Sequence, residues 1–143
     1  MEAWSNSPKD TEKIAKELAK SLRGGEVIAL FGDLGAGKTV FVRGLAKGLG
    51  IKKKITSPTF VYMKSYTLKI SQKPLTFYHL DLYRAASGIE TQNLGIDELF
   101  SPDSIVVLEW AEKIKDSLPK KRIDVAIKAE NEKERRIKID RRV

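Results

Sequence analysis

The chain has 143 residues, 41% hydrophobic and 32% charged, with 27 Lys+Arg against 19 Asp+Glu for a net charge of +8. That length suits one domain able to bury its own core. The absence of cysteine excludes a disulfide framework, a thiolate metal site and a cysteine nucleophile, and a single histidine, His79, cannot alone form a histidine-rich metal centre.

The apolar runs at 27–31 and 105–108 are too short to cross a bilayer. The start of the chain lacks a charged-then-apolar leader pattern, so the cytoplasm is the expected compartment, with no membrane partner. A basic surface attracts nucleic acid, an acidic protein or a phosphate-rich ligand. It is equally what a Lys- and Glu-rich solvated surface looks like, and only 52–54, 120–122 and 135–136 are tight basic clusters.

In chain order, Ser7-Pro8-Lys9-Asp10 predicts a helix start: a serine cap, proline at the first helical position and an acid in the first turn. Ile14, Ala15, Leu18, Ala19 and Leu22 recur at helical spacing up to Gly24-Gly25. Residues 26–31 form an apolar, β-branched run without alternation, the pattern of a strand covered on both faces. A glycine-rich loop follows, then a second amphipathic helix over 38–49, closed by Gly50.

Residues 59–68 and 75–82 read as strands joined around Ser71-Gln72-Lys73-Pro74, a hairpin connection. Helical character is expected near 89–94 and 96–100, a buried strand at 104–108 and a short helix at 111–118. A last antiparallel pair, 123–129 and 136–139, flanks a charged turn at 130–134. The expectation is one α/β domain over 1–143: a P-loop NTPase fold with a mixed, mostly parallel central sheet flanked by helices, antiparallel edge strands and a C-terminal β-hairpin.

Gly32-Asp33-Leu34-Gly35-Ala36-Gly37-Lys38-Thr39 matches G-x-x-x-x-G-K-[ST] in full, after a buried strand and before an amphipathic helix. A polyphosphate needs close backbone approach, so glycines stand where a Cβ would collide. The loop N–H groups form an anion nest at the positive end of the helix over 38–49, whose first turn holds Thr39 and Val40. Lys38 supplies a point charge near the β- and γ-phosphates, and the Thr39 hydroxyl suits Mg²⁺. ATP and Mg²⁺ are therefore the expected ligands, bound by residues 33–40.

Such a loop needs a carboxylate near the metal or the attacking nucleophile. Asp81 and Glu109 each follow an apolar run, as a strand emerging into a cleft would place them, while Asp33 is a third water-positioning candidate. Thr56-Ser57-Pro58-Thr59 reads either as a γ-phosphate-sensing switch loop or as a plain turn into a strand.

Taken together, the loop motif, Thr56-Ser57-Pro58-Thr59-Phe60, His79-Leu80-Asp81-Leu82-Tyr83-Arg84 and Glu109-Trp110-Ala111-Glu112 resemble the TsaE family, bacterial ATPases of tRNA threonylcarbamoyladenosine synthesis. The resemblance covers about residues 7–112. It implies that Lys38 and Thr39 serve phosphate and Mg²⁺, that Thr59 is catalytic within a switch loop, that Glu109 is the metal-binding acid and that Asp81 is needed for hydrolysis. The roles of the two acids are interchangeable on the sequence alone.

The resemblance further implies nucleotide contacts from the N-terminal segment, at Ser7 and Thr11, and from Arg135 or Arg136 in the final hairpin. Trp110 is either a core aromatic or a residue beside the nucleotide or a partner. The implied partners are the TsaB–TsaD pair, cycled by ATP binding and hydrolysis that is slow in isolation, with tRNA met indirectly through that complex. The competing reading is a small-molecule P-loop kinase, which needs a lid and an acceptor site. A guanine-specific switch is disfavoured by the lack of an N-K-x-D pattern.

Overall fold

The computed structural model describes residues 1–33, 35–53, 55, 63–83 and 95–143. Leu34, the Thr56-to-Phe60 segment with Thr59, Arg84 and the expected helix at 89–94 lie outside the described residues.

Among the described residues, seven strands make one sheet, in the order β1-β7-β6-β2-β5-β4-β3. They are β1 (Glu2–Ser5), β2 (Val27–Phe31), β3 (Met63–Ile70), β4 (Lys73–Asp81), β5 (Ser104–Glu109), β6 (Arg122–Ala129) and β7 (Arg135–Arg142). The inner strands β6, β2, β5 and β4 run parallel. β1, β7 and β3 pair antiparallel at the margins. The mostly parallel centre, the antiparallel edges and the C-terminal hairpin thus stand as expected.

The burial patterns follow from these positions. Every residue of β5 is buried, as a strand covered on both faces must be, whereas the edge strand β3 alternates exposed and half-buried.

Two helices, α1 (Pro8–Ala19) and α2 (Lys38–Gly48), cover one face. Their Ala15, Leu18, Phe41, Val42 and Leu45 share a core with Ile28, Leu30, Phe77, Ile105, Val107, Val125 and Ile137 from the sheet. Short 3₁₀ segments, Ile96–Leu99 and Ala111–Ser117, cover the other face through Ile96, Ala111 and Ile114, packed with Ala29, Leu80, Val106 and Leu108. The expected helix at 111–118 is therefore a 3₁₀ segment, kinked where Ile114 leaves helical angles.

The cap at α1 forms as read: Ser7 Oγ accepts the Asp10 N–H at 3.1 Å, and Asp10 Oδ2 accepts the Asn6 N–H at 3.0 Å. The helix ends earlier than its apolar spacing suggests, since Leu22 is buried from the turn that follows Ala19. The β3–β4 connection is also tighter than expected. Ser71 and Gln72 alone form it, both with positive φ (49° and 67°), and Lys73 and Pro74 already belong to β4, paired with Ile70 and Lys69. A two-residue turn of that hand matches the twist of the strands it joins. Nothing in the sequence announces β1. Four residues are too few to show a period, and the strand exists because β7 offers it an edge.

Candidate nucleotide-binding site

The C-terminal ends of parallel strands are where open α/β sheets hold ligands. Three meet here at one level. β2 opens into the glycine loop, and register pairs Leu30 with Glu109 and Glu109 with Asp81. The alternation of β4 and β5 points Phe77, His79 and Asp81, with Ile105, Val107 and Glu109, toward the α2 face.

Backbone geometry explains the loop's first glycine. A Cβ on Gly32, at φ +153°, would lie 2.5 Å from the Ile127 carbonyl oxygen of β6, so no other residue fits without moving the strand. The loop then enters α2 through Gly37 in the left-handed region, with no side-chain cap on the helix. Gly37 offers no side chain to cap α2, and the helix begins directly at the end of the loop, where a helix N-terminus favours an anion.

Lys38 is only 4% exposed. Its Nζ donates to the Gly32 carbonyl and lies 3.3 Å from the centroid of the Trp110 ring. Trp110 itself takes φ +59°, and the Tyr83 ring packs against it, tilted, with centroids 5.0 Å apart. Desolvation pulls the Lys38 pKa below its ordinary value, while Glu112, Glu109, Asp81 and Asp33 oppose that shift. The ammonium is thus held among acids in a nearly dry pocket.

Glu109 is 3% exposed and its carboxylate meets two partners. The Thr39 hydroxyl lies 3.2 Å from Oε1 and 3.4 Å from Oε2, and His79 Nε2 hydrogen-bonds Oε2. Asp81, at the neighbouring strand end, is half-buried and accepts the Tyr83 N–H on Oδ1 at 3.0 Å. Desolvation raises its pKa, helped by the nearby Glu109 charge and opposed by the Tyr83 N–H, His79 and Lys38.

These distances test whether the site suits Mg²⁺. A hydroxyl and a carboxylate, both hard oxygen donors, face each other beside the loop. Among the described residues no group of three His, Asp or Glu side chains is arranged to hold a metal. Mg²⁺ characteristically takes one or two protein oxygens and completes its shell with phosphate and water, so the donor set fits that ion.

The other candidates read from the sequence lie at varied distances from this corner. Asp33 is exposed at the loop's start, Gly35 and Ala36 form its crest, and Val40 lies in the first turn of α2. Ser7 is committed to its cap. The Thr11 hydroxyl is turned inward, 2.7 Å from Ser5 Oγ, and is buried.

Arg136 is directed away from the loop, to Glu130 and over the Trp4 ring at 5.6 Å. Its neighbour Arg135 is the one that reaches the loop: Nε donates to the Ala36 carbonyl at 3.2 Å and Nη2 to that of Gly35 at 3.5 Å. Strand alternation guarantees that the two arginines part, but which of them faces the loop depends on the β6–β7 register. The contact of His79 with Glu109 is a further feature that the motifs alone do not assign. The H-x-D spacing does place His79 and Asp81 on one face of a strand, which is the signal for it.

Residues 5–137 match the family model described as threonylcarbamoyl adenosine biosynthesis protein TsaE. The tRNA threonylcarbamoyladenosine biosynthesis protein TsaE of Bacillus subtilis (strain 168) is 41% identical over 131 residues, covering 92% of this chain and 79% of that protein. The protein of the same name from Treponema pallidum (strain Nichols) is 38% identical over 128 residues, 90% of this chain and 91% of that one. The crystal structure of Bacillus subtilis YdiB superposes with a TM-score of 0.83 at 35% identity, covering 100% of this chain and 86% of that one.

Proposed function

The chain belongs to the TsaE family of tRNA threonylcarbamoyladenosine biosynthesis, and on that premise we propose that it is a Mg²⁺-dependent ATPase that cycles the TsaB–TsaD pair. The observation that carries this reading is the convergence of Lys38, Thr39 and Glu109 at one end of the sheet, with the Thr39 hydroxyl 3.2 Å from Glu109 Oε1. A loop of amides with a buried lysine recognises the triphosphate, and the paired oxygens are where a divalent ion is wanted.

The loop amides and Lys38 bind the β- and γ-phosphates, Lys38 exchanging the Gly32 carbonyl for phosphate oxygens. Thr39 and Glu109 hold Mg²⁺, whose contribution is to neutralise charge on the phosphates. Asp81 orients the attacking water. Its raised pKa brings it nearer to the range in which a carboxylate serves as a base. Arg135 fixes the loop crest by its carbonyls. Among the described residues, the groups named here include no second charge placed to meet the transferred phosphoryl from outside the loop. That fits slow turnover alone and faster turnover once a partner completes the site.

The test is reconstituted threonylcarbamoylation of tRNA with TsaB, TsaD and the activated donor, with and without this chain. Multiple turnovers should require the chain together with ATP, and Lys38→Ala should not substitute for it. Equal product over many turnovers in its absence would overturn the role. Phosphate transfer to a nucleoside or small metabolite would favour a kinase instead.

A further inference from the structure

Glu109 is held by a histidine that the function above does not use. His79 is 0% exposed, and its Nε2 hydrogen-bonds Glu109 Oε2 across the β4–β5 pair. A carboxylate only accepts, so Nε2–H is the donor.

The other ring nitrogen, Nδ1, is buried and makes no hydrogen bond among the described residues. A buried nitrogen without a partner costs stability, and its face-mates Phe77 and Leu75 are plain core. An apolar side chain would serve that packing better. The imidazole is therefore explained by its one contact, which fixes the carboxylate's rotation. With Oε2 tied to His79, Oε1 is the oxygen nearer Thr39 Oγ1.

We propose that His79 is a positioning residue: its Nε2–H holds the Glu109 carboxylate in the orientation that, with Thr39, receives the divalent ion. This rests on the Mg²⁺-nucleotide reading above. Groups that orient a metal ligand without touching the metal change its affinity about 10–100-fold when removed. Binding of nucleotide without metal should be indifferent to His79, because its hydrogen bond goes to Glu109 and not to the loop.

The experiment is calorimetric titration of ATP into the full chain, in EDTA and in Mg²⁺, for the wild type, His79→Gln and His79→Asn. The glutamine amide reaches the place of Nε2 and the asparagine amide does not. Wild type and His79→Gln should gain affinity with Mg²⁺. His79→Asn should lose about 10–100-fold of that gain while keeping its EDTA affinity. An intact Mg²⁺ gain in His79→Asn overturns the proposal, as does an equal loss in EDTA and in Mg²⁺, which marks mere damage to the fold. A wild type with no Mg²⁺ gain at all overturns the metal reading itself, and this proposal with it.

The wild type also answers without any substitution. It carries one histidine, so ¹⁵N-histidine labelling yields one ring to follow. Mg²⁺ added to the nucleotide complex should move its Nε2 resonance more than its Nδ1, and an Nε2 that stays still contradicts the proposal even if neither variant folds.

Discussion

Lys38, buried, and Asp81, half-buried, share one corner of the molecule, and desolvation disfavours the charge on each. Lys38 is compensated by Glu112, Glu109, Asp81 and Asp33. Asp81 gains from Lys38 and His79 but also faces Glu109, so its pKa remains raised. A carboxyl that holds its proton more tightly when folded makes stability fall as pH rises from its unfolded pKa through its higher folded one. At neutral pH the ionised Asp81 is then a net cost. Asp81→Asn should raise the melting temperature near pH 7, and the gain should vanish below the ordinary carboxylate range, where Asp81 is protonated in both states. A gain that persists or grows in acid would contradict this, and so would destabilisation at pH 7.

Arg135 gives a second prediction at this scale. Its two bonds to loop carbonyls and three more to the Asn131, Glu132 and Glu134 carbonyls tie the hairpin to the loop. Arg135→Ala should weaken nucleotide binding by about fivefold, or ~1 kcal/mol, through loss of preorganisation. Arg136→Ala should leave binding nearly unchanged, and titration of both variants separates them.

Single residues are legible where a motif names a place for them: Lys38 and Thr39 at the start of α2 and Asp81 and Glu109 at strand ends lie at one corner of the sheet. Arg135 is not, because a strand residue's face can be assigned only when the pairing register is known, and the Thr11 hydroxyl turns to Ser5 of β1, a strand too short to read from the sequence.

At the scale of elements, the close packing of α1 on α2 depends on the small residues between them. A Cβ on Gly44 would lie 2.5 Å from the Glu12 carbonyl oxygen and 2.7 Å from Ala15 Cβ. Alanine normally strengthens a helix by about 1 kcal/mol over glycine. Here the contact is with backbone, which cannot rotate aside, and overpacking of that kind costs about 1–3 kcal/mol. With that gain set against the cost, Gly44→Ala should lower the melting temperature by up to about 8 °C, and a more stable variant would show that the helices separate freely.

Helix α1 and the buried strands β2 and β5 are readable because their patterns are unmistakable, either a capped 3.6 period or an unbroken apolar run. The two-residue hairpin is obscured by its proline. Lys73-Pro74 reads as turn, yet Pro74 lies ahead of the stretch of β4 that pairs with β5, which begins at Thr76, so its missing N–H is tolerated there. β1 and the 3₁₀ character of 111–117 arise from neighbours, not from local preference.

At the scale of the molecule, four parallel strands set one end of the sheet as the place of chemistry, and the antiparallel margins close it laterally. The strand–loop–helix order makes that architecture legible from sequence. The strand order is not legible, since β5 and β6 both pair with β2 across long stretches of chain. Among the described residues, no helix is long and apolar enough to cross a membrane.

Every functional step above depends on the glycine loop accepting a triphosphate with Lys38 and the divalent ion. Calorimetric titration of ATP with Mg²⁺ into the wild type and Lys38→Ala tests this directly. The wild type should show saturable one-to-one binding and the variant binding about 100-fold weaker, the ~2.7 kcal/mol expected when charge-assisted bonds to phosphate are lost. Equal affinity in a folded Lys38→Ala, or no heat of binding in the wild type, would contradict it.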